Sequence, residues 1–364
     1  MDGLEMNQFA DIYRNRRILL TGHTGFKGSW LALWLQELGA DVTGLALPPN
    51  TDPNHWDLLN LTIPEYHVDV RDYQTVMDVF EETKPEIIFH LAAQPLVRRS
   101  YRDPLETWST NVMGTVNILE TCRHIDTVSA IVVITTDKVY NNQEWCWGYR
   151  EDDRLGGHDP YSASKASSEL VADSYRKSFF HHPESPLVAT ARAGNTIGGG
   201  DWSEDRLIPD LIRSINQSQL LEIRSPNATR PWQHVLECLS GYLLLGQKLL
   251  EREYSYAESW NFGPCTSDNR RVVDILEMMN VHWPELEWYQ GSNASSHEAN
   301  YLYLDNAKSR LKLGWEPVWG LEECLRATAN WYREYLAAGA VISSAQLNEY
   351  IRTACQKGCS WVGE

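Results

Sequence analysis

The chain has 364 residues, 43% of them apolar and 22% charged, with a net charge of −17. That size and balance fit a soluble globular protein built as one large domain or two closely packed ones. The negative field works against nucleic acid and anionic membranes, and no apolar run approaches the roughly 20 residues of a membrane span. An anionic ligand would therefore need local cations.

Seven cysteines are scattered without a CxxC pair, which reads as reduced thiols in a cytoplasmic protein. The polar, partly acidic N-terminus does not read as a signal peptide. No His/Cys/Asp cluster has ligand spacing, so no metal is expected.

In chain order, Arg17–Leu20 is a strand candidate, followed by a glycine loop and a helix pattern over Trp30–Leu38. Asp41–Leu47 reads as the second strand, and Val68 lies in a short third. Tyr73–Glu82 is helical, and Ile87–Phe89 begins the fourth strand. Thr107–Arg123 is a helix, Ala130–Ile134 the fifth strand, Tyr161–Phe180 a long helix and Leu187–Thr190 the sixth strand. Strands alternating with helices imply right-handed βαβ units and a doubly wound parallel sheet of Rossmann type. The alternation fades after about residue 194. The expected division is therefore an NAD-binding domain over 1–193 and a smaller mixed α/β, mainly substrate-binding domain over 194–364. Part of 231–262 is expected to return to the main sheet. The tail from Ser343 carries only weak helical signals.

Three stretches carry chemistry. "LLTGHTGFKG" sets Gly22, Gly25 and Gly28 three apart between a strand and a helix. A pyrophosphate can lie against a helix N-terminus only where the backbone comes close, and glycines permit that approach. Gly22, Thr24, Gly25, Phe26, Lys27 and Gly28 are thus candidate cofactor contacts. The second strand ends in "ADVTGLALPP", with neither the acid that binds an adenosine ribose nor a base for a 2′-phosphate. NAD is favoured over NADP, and its binding is expected to be weak. Asp69 and Val70 are placed at the adenine. Leu91, Ala92 and Ala93, in "HLAAQP", form a small-residue loop that leaves room for a cofactor.

The second stretch is Tyr161–Lys165, "YSASK". Spacing i,i+4 puts phenol and amine on one helix face. A nearby ammonium is expected to stabilise phenolate, making Tyr161 a base, while Lys165 can also hold a nicotinamide ribose. The third is Thr135-Thr136-Asp137-Lys138 at the end of the fifth strand, with Thr135 a further cofactor candidate.

Together these motifs resemble the extended short-chain dehydrogenase/reductase family and, within it, the sugar-nucleotide 4,6-dehydratases. The similarity runs from about residue 14 to residue 320. Those enzymes carry a Thr-Asp-Glu type motif where this chain has Thr136-Asp137-Lys138. With "GHTGFKGSW", "AAQPLVRRSY", "NVMGTVNILE", "EWCWGYRE", "RAGNTIGGGDW", "RPWQHVLE" and "WNFGP", the lysine variant is similar to the branch acting on CDP-glucose. The resemblance implies oxidation at C4 with NAD, loss of water across C5 and C6, and hydride return to C6, in deoxysugar synthesis. Thr136 would orient O4 and Asp137 protonate O6. Lys138 would be the C5 base, or alternatively a fixed charge beside the enolate. Gln94, Arg192, Asn195, Arg206, Arg230, Asn261 and Glu298 are the candidate substrate contacts. Arg98 and Arg99 are placed near the sugar, and Trp145 and Trp147 are candidates to cover it. A homodimer or homotetramer is expected, with the helices at 107–123 and 161–180 as its seam. The competing readings are another nucleotide-sugar 4,6-dehydratase, a 4-epimerase or reductase, and a non-catalytic NAD(H)-sensing module.

Overall fold

The computed structural model of the chain describes residues 7–291 and 301–363. Its first six strands are β1 (Arg17–Thr21), β2 (Asp41–Ala46), β3 (Glu65–His67), β4 (Ile87–His90), β5 (Ala130–Ile134) and β6 (Leu187–Ala193). The helices between them are α1 (Phe26–Glu37), α2 (His55–Leu59), α3 (Tyr73–Thr83), α4 (Val97–Arg102), α5 (Pro104–Trp108), α6 (Gly114–Cys122) and α7 (Pro160–Ser178). The third strand lies just before Val68, whose amide bonds Ala46 O at 3.1 Å as the chain leaves the sheet.

Beyond β6 come β7 (Thr196–Ile197), α8 (Leu207–Asn216), β8 (Leu221–Ile223), β9 (Thr229–Pro231), β10 (Gln233–His234) and α9 (Val235–Leu250). They are followed by β11 (Ser259–Phe262), β12 (Asn269–Arg271), α10 (Val272–Asn280), β13 (Trp288–Gln290), α11 (Leu321–Ala338) and α12 (Ser343–Gln356).

A seven-stranded sheet runs β11-β6-β5-β4-β1-β2-β3, with every pair parallel. The chain winds outward from β1 to β3, then crosses back to β4. That reversal opens a crevice at the carboxyl ends of β1 and β4, where doubly wound sheets bind ligands. Period-two alternation divides the strands between two cores. Ile131 and Val133 face α3, α6 and α7, while Ala130, Val132 and Ile134 face α1, α9, α11 and α12. Covered on both sides, β1 and α1 are apolar nearly all round, and α1 is buried from Gly28 to Leu35.

Residues 259–262 pair with β6 in the main sheet, Asn261 beside Arg192. Three two-stranded ladders, β7/β10, β9/β12 and β8/β13, frame the crevice from the other side. The tail forms a full helix, α12. Its Leu347, Tyr350, Ile351 and Ala354 make an i, i+3, i+4, i+7 stripe buried in the same core as α1.

Candidate active site

The glycine turn is built by contact. Gly22 has φ 75°, and a Cβ there would meet Ala92 N at 2.7 Å. A Cβ on Gly28 would lie 2.0 Å from Gly22 O. The turn thus holds the β1 tip against the β4 loop and lets α1 start directly over it. No side chain caps α1 at Gly25, so its first-turn N–H groups face the crevice uncapped. These features fit a dinucleotide pyrophosphate. Thr24 Oγ1 is tied to Leu47 O at 2.9 Å. Leu91 and Ala92 donate their amides to Thr21, and Asn117 holds the Val70 carbonyl at 2.9 Å. Asp69 is paired with Arg71 at 2.5 Å, which holds its carboxyl below the ordinary range.

The catalytic candidates converge at the tip of β5. Pro160 opens α7 and Asp159 caps it, accepting from Ser162 N at 2.9 Å, so Tyr161 sits in the first turn. One turn on, Lys165 Nζ donates to Ile134 O at 3.0 Å and fastens α7 to β5. Burial lowers Lys165 to about 8, and the nearby Lys27 charge adds to that. Lys27 is itself lowered by burial. After Ile134 the chain turns through Asp137–Val139, capped by Thr136. Thr136 Oγ1 donates to Asp137 Oδ1 at 2.9 Å. Asp137 is 1% exposed, and its Oδ2 has no hydrogen-bond partner among the described residues. Lys138 Nζ lies 3.8 Å from Asp137 Oδ1.

Thr136, Asp137, Lys138 and Tyr161 line one cavity of about 760 Å³, together with Lys27, Thr135, Asn195, Arg206 and Arg230. One expectation is corrected by this arrangement. Tyr161 is pushed up to about 12, because burial outweighs the Thr136 hydroxyl that pulls the other way. The Lys165 ammonium donates to the Ile134 carbonyl at 3.0 Å.

Three substrate candidates are removed by their own partners. Arg192 is buried in an ion pair with Glu169 at 2.8 Å and also donates to Tyr140 Oη at 2.8 Å and Glu151 O at 2.9 Å. Asn261 accepts from Tyr140 Oη at 2.7 Å and donates to Tyr149 O at 2.8 Å and Asp305 O at 3.1 Å. Gln94 donates to Thr107 Oγ1 at 2.8 Å and accepts from Leu96 N at 2.7 Å, shaping its own loop. All three support the site from beneath. Glu298 lies outside the described residues. Arg98 reaches the cavity, whereas Arg99 is held by Glu106 at 2.7 Å. Trp145 stacks on Tyr149, and Trp147 packs edge-on against Trp145, so both belong to a side cluster.

Sequence reading missed Arg224 and Asp205, which line the cavity and lie 3.6 Å apart. "EIRSP" carries no motif. Only the β8/β13 ladder brings Arg224 into place.

A phenol and an ammonium on one helix face, a hydroxyl at the strand tip beside them and a glycine turn below place the chain among the short-chain dehydrogenases/reductases. The chain belongs to the GDP-mannose 4,6 dehydratase family, whose profile matches residues 19–328. It is 46% identical over 350 residues to CDP-glucose 4,6-dehydratase of Salmonella typhimurium, covering 94% of this chain and 98% of that one. Solved structures share the fold. An epimerase from Methanothermobacter thermautotrophicus superimposes with a TM-score of 0.78 at 23% identity, covering 90% of this chain and 96% of the other. dTDP-glucose 4,6-dehydratase from Bacillus anthracis, in complex with NAD, gives 0.72 at 22% identity, over 88% and 97%.

Proposed function

We propose that the chain converts CDP-glucose to CDP-4-dehydro-6-deoxyglucose and water, using NAD within each catalytic cycle. The observation that carries this reading is the shared cavity of Thr136, Asp137, Lys138 and Tyr161. An epimerase or a simple reductase has no use for an acid and an amine beside the phenol. A non-catalytic NAD(H) sensor would need none of the four.

The glycine turn and the uncapped first turn of α1 would hold NAD, which when bound would accept hydride from C4, return it to C6 and carry a positive charge that favours the Tyr161 phenolate. Tyr161 takes the proton from O4, and Thr136 orients that oxygen. The C4 ketone then acidifies C5. Lys138 removes the C5 proton, Asp137 protonates O6, and water leaves. Once C6 has received its hydride, Lys138 returns the proton to C5. Arg206 and Arg230 supply guanidinium groups for the diphosphate, and Asn195 lies beside them on the cavity wall.

The test is incubation with NAD and CDP-, UDP-, dTDP- and GDP-glucose. The expected outcome is a 4-keto-6-deoxy product from CDP-glucose, seen as new absorbance in alkali, without net NADH. No keto sugar from any donor would defeat the reading. Lys138→Met is expected to stop C5 exchange with deuterated solvent. Near-normal exchange would take Lys138 out of the chemistry.

The proposal extends to a cytoplasmic enzyme of deoxysugar and polysaccharide synthesis. Among the described residues, no helix is long and apolar enough to cross a membrane. A homodimer seam along 104–122 and 160–178 is supported by Leu105 and Leu170, which are 82% and 59% exposed. Sedimentation of the free protein checks it.

A further inference from the structure

The proposed reaction borrows a hydride and gives it back. Between those steps the cofactor and the keto sugar must both stay in place, because loss of either strands the other. Yet one usual anchor of the cofactor is missing. β2 ends at Ala46 and runs on as Leu47-Pro48-Pro49, so no carboxylate stands where an adenosine ribose is held in this fold. What keeps the two ligands together must come from elsewhere in the site.

Lys27 is the second residue of α1, within the uncapped first turn that would hold the cofactor pyrophosphate. It also lines the cavity that carries Asp137, Lys138 and Arg206. Lys27 therefore stands on the boundary between the two ligand sites. Every other lysine or arginine on the cavity wall is engaged. Arg98 and Arg224 share Asp205 at 2.5 and 3.6 Å, and Arg206 holds Asp201 at 3.1 Å. Lys138 lies 3.8 Å from Asp137, and Arg230 donates to Thr229 O at 2.9 Å. Among the described residues, the Lys27 ammonium makes neither a hydrogen bond nor an ion pair. Burial lowers it, and the Arg206 and Lys138 charges push the same way. A half-buried charge set among cations costs free energy, and an anion brought alongside removes that cost.

We propose that Lys27 couples the two ligands, reaching the cofactor pyrophosphate and the nucleotide-sugar diphosphate when both are bound. An ammonium carries three donors on a flexible stem, so one amine can serve two anions. The first ligand orders that stem, and the second finds it already ordered. Without the amine, two diphosphates would repel each other across the cavity. NAD is then held weakly alone and firmly beside substrate, and by linkage the substrate gains the same factor from NAD. This inference rests on the dehydratase reading given above.

The experiment is isothermal titration of the full chain, stripped of NAD, with CDP, which carries the diphosphate but no glucose to react. Each titration is run without NAD and with saturating NAD. In the parent, NAD is expected to tighten CDP about 5- to 50-fold. In Lys27→Met that factor is expected to fall to one or below, and Lys27→Gln should lose it too. Lys27→Arg keeps a cation and should keep a factor above one. The unliganded Lys27→Met protein should melt no lower than the parent, since it sheds an uncompensated charge. The same factor in parent, Lys27→Met and Lys27→Gln, or a factor of one in the parent, would overturn the coupling. Loss of affinity for one ligand with the factor intact would also overturn it, leaving Lys27 a contact of that ligand alone. No binding of CDP by the parent, together with no keto sugar from CDP-glucose, would instead remove the dehydratase reading itself.

Discussion

Glu169 and Arg192 meet at 2.8 Å with both side chains buried, one helical turn below the Lys165 that ties α7 to β5. The carboxylate also accepts from Thr135 at the β5 tip, from Thr190 on β6 at 2.6 Å and from Ser259 on β11 at 3.2 Å. One charge pair thus joins α7 to three strands directly beneath Tyr161 and Thr136.

Removing either partner strands the other charge in the core. Glu169→Ala or Arg192→Ala is expected to lower stability by about 3–5 kcal/mol. Urea unfolding measures this. A change below about 1 kcal/mol in both variants would mean that the pair is not what fixes these elements.

The cavity arginines should behave differently. Hydrogen bonds to charged groups are worth about 1.5–3 kcal/mol, so Arg230→Ala or Arg206→Ala should raise KM for CDP-glucose about 10- to 100-fold. In Arg230→Ala folding stability and kcat should change little, whereas Arg206→Ala also strands the buried Asp201 carboxylate that Arg206 pairs at 3.1 Å and should lower stability. A normal KM in both variants would move the diphosphate elsewhere.

Gly28→Ala tests the cofactor cradle. Its Cβ would lie 2.0 Å from Gly22 O, so α1 must shift away from the turn. Thermal stabilisation by added NAD, clear in the parent, should be lost in this variant. The same NAD-induced rise in Tm in both proteins would show that the turn does not hold the pyrophosphate.

A fourth prediction concerns pH. Glu237 on α9 is buried and raised from 4.5 to about 7 by desolvation, against the pull of the Val318 and Trp319 amides and Tyr350 Oη. The folded state therefore favours the neutral acid. Stability from this group is complete below pH 4.5 and is lost as pH rises through about 7. Urea midpoints should fall between pH 5 and 8. In Glu237→Gln, which does not titrate, that decline should be smaller, on a lower baseline. An unchanged slope would assign it to other groups.

Much of this site was legible because its signals are local. The strand run before Thr135, the glycines at 22, 25 and 28, and the Tyr161–Lys165 spacing each lie within ten residues. Arg192, Asn261 and Gln94 were misplaced because a lone polar residue in a motif does not say which way it faces. Register settled that, by setting Asn261 beside Arg192 between β11 and β6. The state of Tyr161 was misread for a related reason. Spacing puts phenol and ammonium on one face, but depth decides whether burial or the ammonium prevails. Arg224 and Asp205 could not be found from sequence, since only tertiary pairing makes them neighbours. The α12 stripe was present in the letters and was passed over because its apolar residues are thinly spread.

The two ends of the chain are sewn together. Phe9 stacks on Trp361 with ring centres 5.1 Å apart, its amide bonds Trp361 O at 2.7 Å, and both rings pack on Trp34 of α1. During synthesis, Phe9 and Trp34 therefore emerge hundreds of residues before the ring that will cover them. The first helix must wait, greasy and half-clad, until Trp361 has been made, and a cut that removes Trp361 would return it to that condition.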